Sequence, residues 1–187
     1  MGLFKKIIDK FRNEKMLKSS LNEMKEKEER SLKYSTEELS ALSDADLFWA
    51  VMCRTEHQVE TYDKWEDGVN SLNASQIIFY SVCWLETEVN NGGLCQFFVN
   101  SSRMVAPLVS GYLEIIGAVD HKKLYDDFIE KNGIDLTDLS FFDMDDFSEF
   151  EEKNKSYPFD KFDSAFFELE PLETYLTRFA RAHLTDF

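Results

Sequence analysis

Seven side chains close together in the sequence could do chemistry: Glu86, Glu88, Cys95 and the amide cluster Asn90, Asn91, Gln96 and Asn100. Glu86 and Glu88 flank an Asn-Asn-Gly-Gly turn, and two carboxylates at such a site can act as general acid and base. Cys95 follows the two glycines. At the first turn of a helix a thiolate is stabilised, so the position suits a nucleophile, but no His stands near in sequence to activate it. The amides of Asn90, Asn91, Gln96 and Asn100, with Phe97 beside them, could line a polar ligand pocket. The alternative is local: Asn91 or Gly92 closes one helix, Gly93 permits close packing, and Gln96 and Asn100 tie the turn together by hydrogen bonds. Glu88 then holds a backbone group or an arginine, with Arg103 the nearest candidate.

Other chemistries fail on spacing. His57, His121 and His183 are far apart, and none has a second ligand at the interval a structural metal site uses. Asn91-Gly92-Gly93-Leu94 lacks the spacing and the lysine of a phosphate-binding loop. Ser110 lacks the preceding glycine of a nucleophile elbow. The expectation is therefore a protein that is not an enzyme and needs no cofactor or metal.

The turn has to be positioned by helices. The chain has 187 residues, 43% of them hydrophobic, with 17 Phe but only 7 Gly and 3 Pro. That suits one domain with a substantial core, and so few breakers favour helices over many short strands. The fold expected is all-α, a single compact multi-helix domain over 34–187 preceded by an amphipathic N-terminal helix or arm over 1–33. Ser35 and Glu38 stand at capping-box spacing, and Ser43 offers a second N-cap for a helix to about Tyr62. Asp67-Gly68 reads as a break. A helix from about Asn73 to Val89 enters the central turn, and a short one with Leu94, Phe97 and Phe98 leaves it. Pro107 opens a helix to about Gly117, and Asp120 reads as the N-cap of one that Asn132-Gly133 stops. Residues 153–158 read as a polar loop, and Pro171 opens a last helix to His183. Cys53, Cys83 and Cys95, an odd number set in apolar runs, read as reduced core residues of a cytoplasmic protein.

Charge is unevenly placed. Residues 1–33 carry ten Lys/Arg and six Asp/Glu, whereas 34–187 carry 11 basic and 30 acidic residues, a net charge of −19. Such a body repels nucleic acid, so direct DNA or RNA binding is disfavoured, and it attracts basic partners. The densest acidic stretch holds Asp143, Asp145, Asp146, Glu149, Glu151 and Glu152, interleaved with Phe, and is the expected contact surface. At the other end Leu3, Phe4, Ile7, Ile8 and Phe11 recur at helical spacing among Lys5, Lys6 and Lys10. Residues 3–18 could lie on an anionic membrane at its inner face, or pack on protein. Charge interrupts the apolar residues throughout, so this is no secretory signal, and Lys6 spoils a myristoylation motif.

Glu88, Asn90, Asn91, Gly92, Gly93, Gln96, Phe97, Phe98 and Asn100 together spell E-x-N-N-G-G-x-x-Q-F-F-x-N. This resembles the signature of the DMP19-like family of bacterial proteins, with every fixed position matched. The resemblance implies an all-helical domain over about Thr36 to His183. It also implies a non-enzymatic role as a DNA mimic, in which an acidic homodimer surface imitates duplex phosphates and occupies a basic DNA-binding protein. Carboxylates at i and i+4 of a helix stand roughly 6 Å apart, comparable to successive phosphates along one strand.

Overall fold

The computed structural model describes residues 18–187, with every side chain but that of Phe147. The described residues are all helical or irregular, with no strand. Helix α1 covers 18–31. It is followed by α2 (Thr36–Ala41), α3 (Asp44–Glu60), α4 (Trp65–Asn70), α5 (Ala74–Val99), α6 (Ala106–Ile115), α7 (Val119–Asn132), α8 (Phe150–Lys155), α9 (Phe159–Phe166) and α10 (Leu172–Ala182). Short 3-10 turns lie at Ser101–Val105, Ser140–Phe142, Phe147–Glu149 and Leu184–Asp186.

Local signals account for several helix starts. Ser35 accepts from the Glu38 N–H while Glu38 accepts from the Ser35 N–H, a complete capping box. Ser43 caps α3 through the Asp46 N–H. Asn73 and Gln76 form a second capping box at the start of α5. Gly133, at φ 62°, ends α7 in the left-handed conformation that glycine adopts without Cβ strain.

Helix α5 is the spine, packed against α3, α6, α9 and α10. It is buried around much of its circumference, including Ile78, Phe79, Val82, Leu85, Val89, Leu94, Phe97 and Phe98, which marks a central core helix and not a surface one. An aromatic cluster closes the core beyond its end. Phe98 lies 5.0 Å from Phe142 and 6.3 Å from Phe159, and Phe159 and Phe162 each lie 5.3 Å from Phe128. Phe142 thus pins the acidic segment to the body.

Three local expectations are corrected. Asp67-Gly68 is no break but lies inside α4. Gly68 is there because a Cβ would come within 2.4 Å of the Val59 carbonyl, so it lets α4 lie against α3. Asp120 is not an N-cap; it sits in the first turn of α7, whose N-cap is Ala118. Residues up to Lys155 are not loop, because α8 runs through them, supported by the Glu151–Lys155 pair at i, i+4.

Candidate functional site

The turn breaks α5 at two residues. Gly92 takes φ −158°, ψ 20°, and Gly93 takes φ 81°, ψ 176°. The second conformation is essentially confined to glycine. Breaking a helix frees backbone groups, and the chain satisfies one of them from far away: Asp163 of α9 accepts the Leu94 N–H at 2.9 Å. Its carboxylate is so close that a Cβ on Gly93 would stand 2.2 Å from Asp163 Oδ2. Burial pushes the Asp163 carboxyl up, the Leu94 N–H opposes this, and Asp160 adds to the rise. Glu86 does the same service elsewhere, accepting the Leu172 N–H at 2.7 Å at the start of α10. Its carboxyl is likewise pushed up, by burial first.

Glu88 is the centre of the turn. It is 4% exposed, and three neutral side chains surround its carboxylate. Gln96 Nε2 donates at 2.6 Å, Asn100 Nδ2 reaches both oxygens at 3.0 and 2.9 Å, and Ser102 Oγ donates at 3.1 Å. A buried carboxylate is tolerable when its lone pairs are satisfied in this way. The bonds bridge the break: Glu88 precedes the glycines and its three donors follow them. Arg103 is not its partner, contrary to expectation. Arg103 pairs with Asp143, so the guanidinium ties the acidic segment to the turn instead.

The nine signature residues therefore divide by task. Gly92 and Gly93 set the backbone, Phe97 and Phe98 fill the core, and Glu88, Gln96 and Asn100 bond one another. Asn90 and Asn91 are exposed and make no side-chain hydrogen bond among the described residues. Acid–base chemistry by Glu86 and Glu88 does not fit, since one oxygen of Glu86 caps α10 and Glu88 is enclosed. A reactive Cys95 does not fit either. Cys95 is fully buried, and burial with the nearby Asp163 charge pushes its thiol up to about 12, outweighing any benefit of the helix start. A groove of about 450 Å³ along α10, lined in part by Thr174, Thr177, Arg178 and Arg181, includes no residue of the turn. Its arginines are already paired with Glu170 and Asp44. Sequence reasoning missed Asp163 and Ser102, which lie outside the signature.

The acidic segment forms a partly compensated surface. Asp143 is paired with Arg103 and Glu151 with Lys155, while Lys153 lies 4.6 Å over the exposed ring of Phe141. Asp146 accepts the Ser148 N–H at 2.7 Å, as Asp135 and Asp138 accept those of Thr137 and Ser140. Asp145, Glu149 and Glu152 have no ion pair among the described residues, and Asp145, Asp146 and Glu152 are exposed. So the six acidic side chains are on one segment, but only four of them offer free charge.

No group of three or more His, Cys, Asp or Glu among the described residues is arranged to hold a metal ion. His121 is 2% exposed, edge-on to the rings of Phe166 and Tyr175, and its Nδ1 has no hydrogen-bond partner among the described residues. The expected membrane-contact residues Leu3, Phe4, Lys5, Lys6, Ile7, Ile8 and Phe11 lie outside the described residues. Among the described helices none is long and apolar enough to cross a membrane.

A family model described as DMP19-like protein matches residues 70–183, which contain the whole turn, its donors and Asp163. Helices α1 to α3 lie outside the match. No curated protein and no solved structure matches the chain.

Proposed function

Since the chain belongs to the DMP19-like family, we propose that it is a non-enzymatic, cytoplasmic interaction protein whose acidic surface occupies a basic DNA-binding protein in place of duplex DNA. The observation that carries this reading is the contrast between two sites. Glu88, Gln96 and Asn100 of the turn bond one another, whereas Asp145, Asp146, Glu149 and Glu152, on a segment pinned by Phe142, make no ion pair among the described residues. A rigid body of charge −19 attracts basic partners over long range, and that attraction weakens as salt rises. The Ser148 N–H holds the Asp146 carboxylate, and short helices carry Glu149 and Glu152, which gives part of this surface a defined backbone.

The test is a pull-down at low salt with the protein immobilised. A basic DNA-binding protein should be retained, be released as salt rises, and lose labelled duplex when this protein is added. The variant Asp145→Lys, Asp146→Lys, Glu152→Lys should lose both effects. Retention of no such partner at low salt, or undiminished competition by the triple variant, removes the reading.

A further inference from the structure

Helix α6 turns outward a side that no described residue covers. Leu108 is 46% exposed and Ile115 57%, with Gly111 exposed between them at helical spacing. Met104, 38% exposed, stands beside Leu108 at one end, and both line a cavity of about 310 Å³ whose other walls include Val69, Leu72 and Ile77. Glu114 is the only charged residue of the helix. Gly111 has no task among the described residues. Its φ is not positive, and nothing stands within 4 Å of where its Cβ would be. Glycine is a poor helix former, so its place here suits the close approach of a backbone from outside.

This face fits itself. Ile115 projects at one end, the cavity opens at the other beside Leu108, and Gly111 lies near the midpoint. Two copies of α6 laid antiparallel across a two-fold axis at Gly111 set Ile115 of each against Leu108 and the cavity of the other, as an isologous interface requires. Leu108 and Ile115 are roughly 10 Å apart along the helix, so both ends meet at once. With whole-residue areas of roughly 200 Å², Met104, Leu108 and Ile115 expose about 300 Å² of apolar surface in each copy. Two copies bring about 600 Å², and at the usual apolar share of roughly 60% the whole contact is about 1,000 Å², enough for a specific interface.

Charge bears on which partner this is. A basic protein is drawn to carboxylates, and α6 offers only Glu114. A second copy, at net charge −15, needs no countercharge there, and its repulsion is screened within ~8 Å at physiological salt. We propose that α6 pairs with α6 of a second copy, with Ile115 of each seated in the other's cavity. The face takes no residue from the acidic segment 143–152, so the pairing stands apart from the identity of any basic partner. It also answers to salt in the opposite sense, strengthening where a charge-held partner is released.

The test is sedimentation velocity of the full chain from about 1 to 200 µM, which spans the affinities of an interface this small. A dimer should form, and its fraction should rise between about 0.05 and 0.5 M salt as repulsion is screened. Ile115→Lys lowers that repulsion but buries a charge without a partner, and should weaken the dimer more than about 100-fold. Phe167→Lys makes the same change of charge at a residue 58% exposed at the end of α9, and should leave the dimer intact. Gly111→Ala, for which the single chain has room, should weaken it about tenfold by holding the two helices apart. A chain that stays monomeric throughout overturns the proposal; if deleting residues 2–17 then lets it pair through Ile115, the face belongs to the chain's own first segment. A dimer that Ile115→Lys leaves intact, or that Phe167→Lys weakens equally, puts the second copy on another face and overturns it too. So does a dimer that dissociates as salt rises, since charge would then hold it.

Discussion

Replacing Gly93 with alanine tests whether the break in α5 is held by backbone geometry and by Asp163 together. At φ 81°, ψ 176° an alanine is strained by about 1–3 kcal/mol. Its Cβ would also meet Asp163 Oδ2 at 2.2 Å and Cγ at 2.9 Å. The carboxylate must move, and the buried Leu94 N–H then loses its acceptor, at about 1–3 kcal/mol more. The expected loss is roughly 3–5 kcal/mol. With a urea m-value of about 2–3 kcal/mol/M, the midpoint of unfolding should fall by about 1–2 M. Far-ultraviolet circular dichroism in urea measures it. Gly111 is the control: it sits inside α6 with nothing within 4 Å of its would-be Cβ, so Gly111→Ala should stabilise by up to about 1 kcal/mol. In the Asp163→Ala background, Gly93→Ala should cost less than it does alone, because the collision is gone. A Gly93→Ala protein within about 0.5 kcal/mol of the parent would refute the reasoning, as would strict additivity with Asp163→Ala.

Glu88→Ala leaves Gln96, Asn100 and Ser102 without their shared acceptor and should cost roughly 3–5 kcal/mol in the same assay, whereas Asn91→Ala, at an exposed amide, should stay within about 0.5 kcal/mol. If Glu88→Ala is equally mild, the carboxylate is not what joins the two halves of α5. His121 supplies a pH dependence: burial holds its imidazole below the usual 6.5, against the opposing charges of Asp120 and Glu170. The unfolded chain therefore binds the proton more readily, and stability should fall as pH drops below about 6.5. Urea midpoints between pH 7 and 5.5 should show this slope in the parent and a shallower one in His121→Phe; an unchanged slope would assign it to another group.

What could be read from the sequence was what neighbours decide. Ser35 with Glu38, Ser43 and Gly133 act on backbone groups within a turn, so the chain spells them out locally. Gly68 misled because the same residue serves a break and a close approach, and only Val59 on another helix distinguishes them. Residues 153–155 read as loop because their polarity hid an exposed helix with one i, i+4 pair. At the candidate site, the glycine break and the involvement of Gln96 and Asn100 were legible. Their target was not, since a carboxylate next to Arg103 suggests an ion pair until Asp143, forty residues on, claims the guanidinium. Asp163 was beyond reach for the same reason, since nothing at Leu94 announces a cap from another helix.

That distant cap bears on how the chain is made. Leu94 and Asp163 are 69 residues apart, so at ordinary rates of translation the second half of α5 is synthesised about 3–14 s before its acceptor exists. For much of that interval Phe98 also lacks Phe142 and Phe159, which are made only shortly before Asp163. The spine of this fold is therefore completed only once α9 has been made, and a ribosome stalled before α9 would carry a nascent chain whose central helix still lacks its acceptor at Leu94.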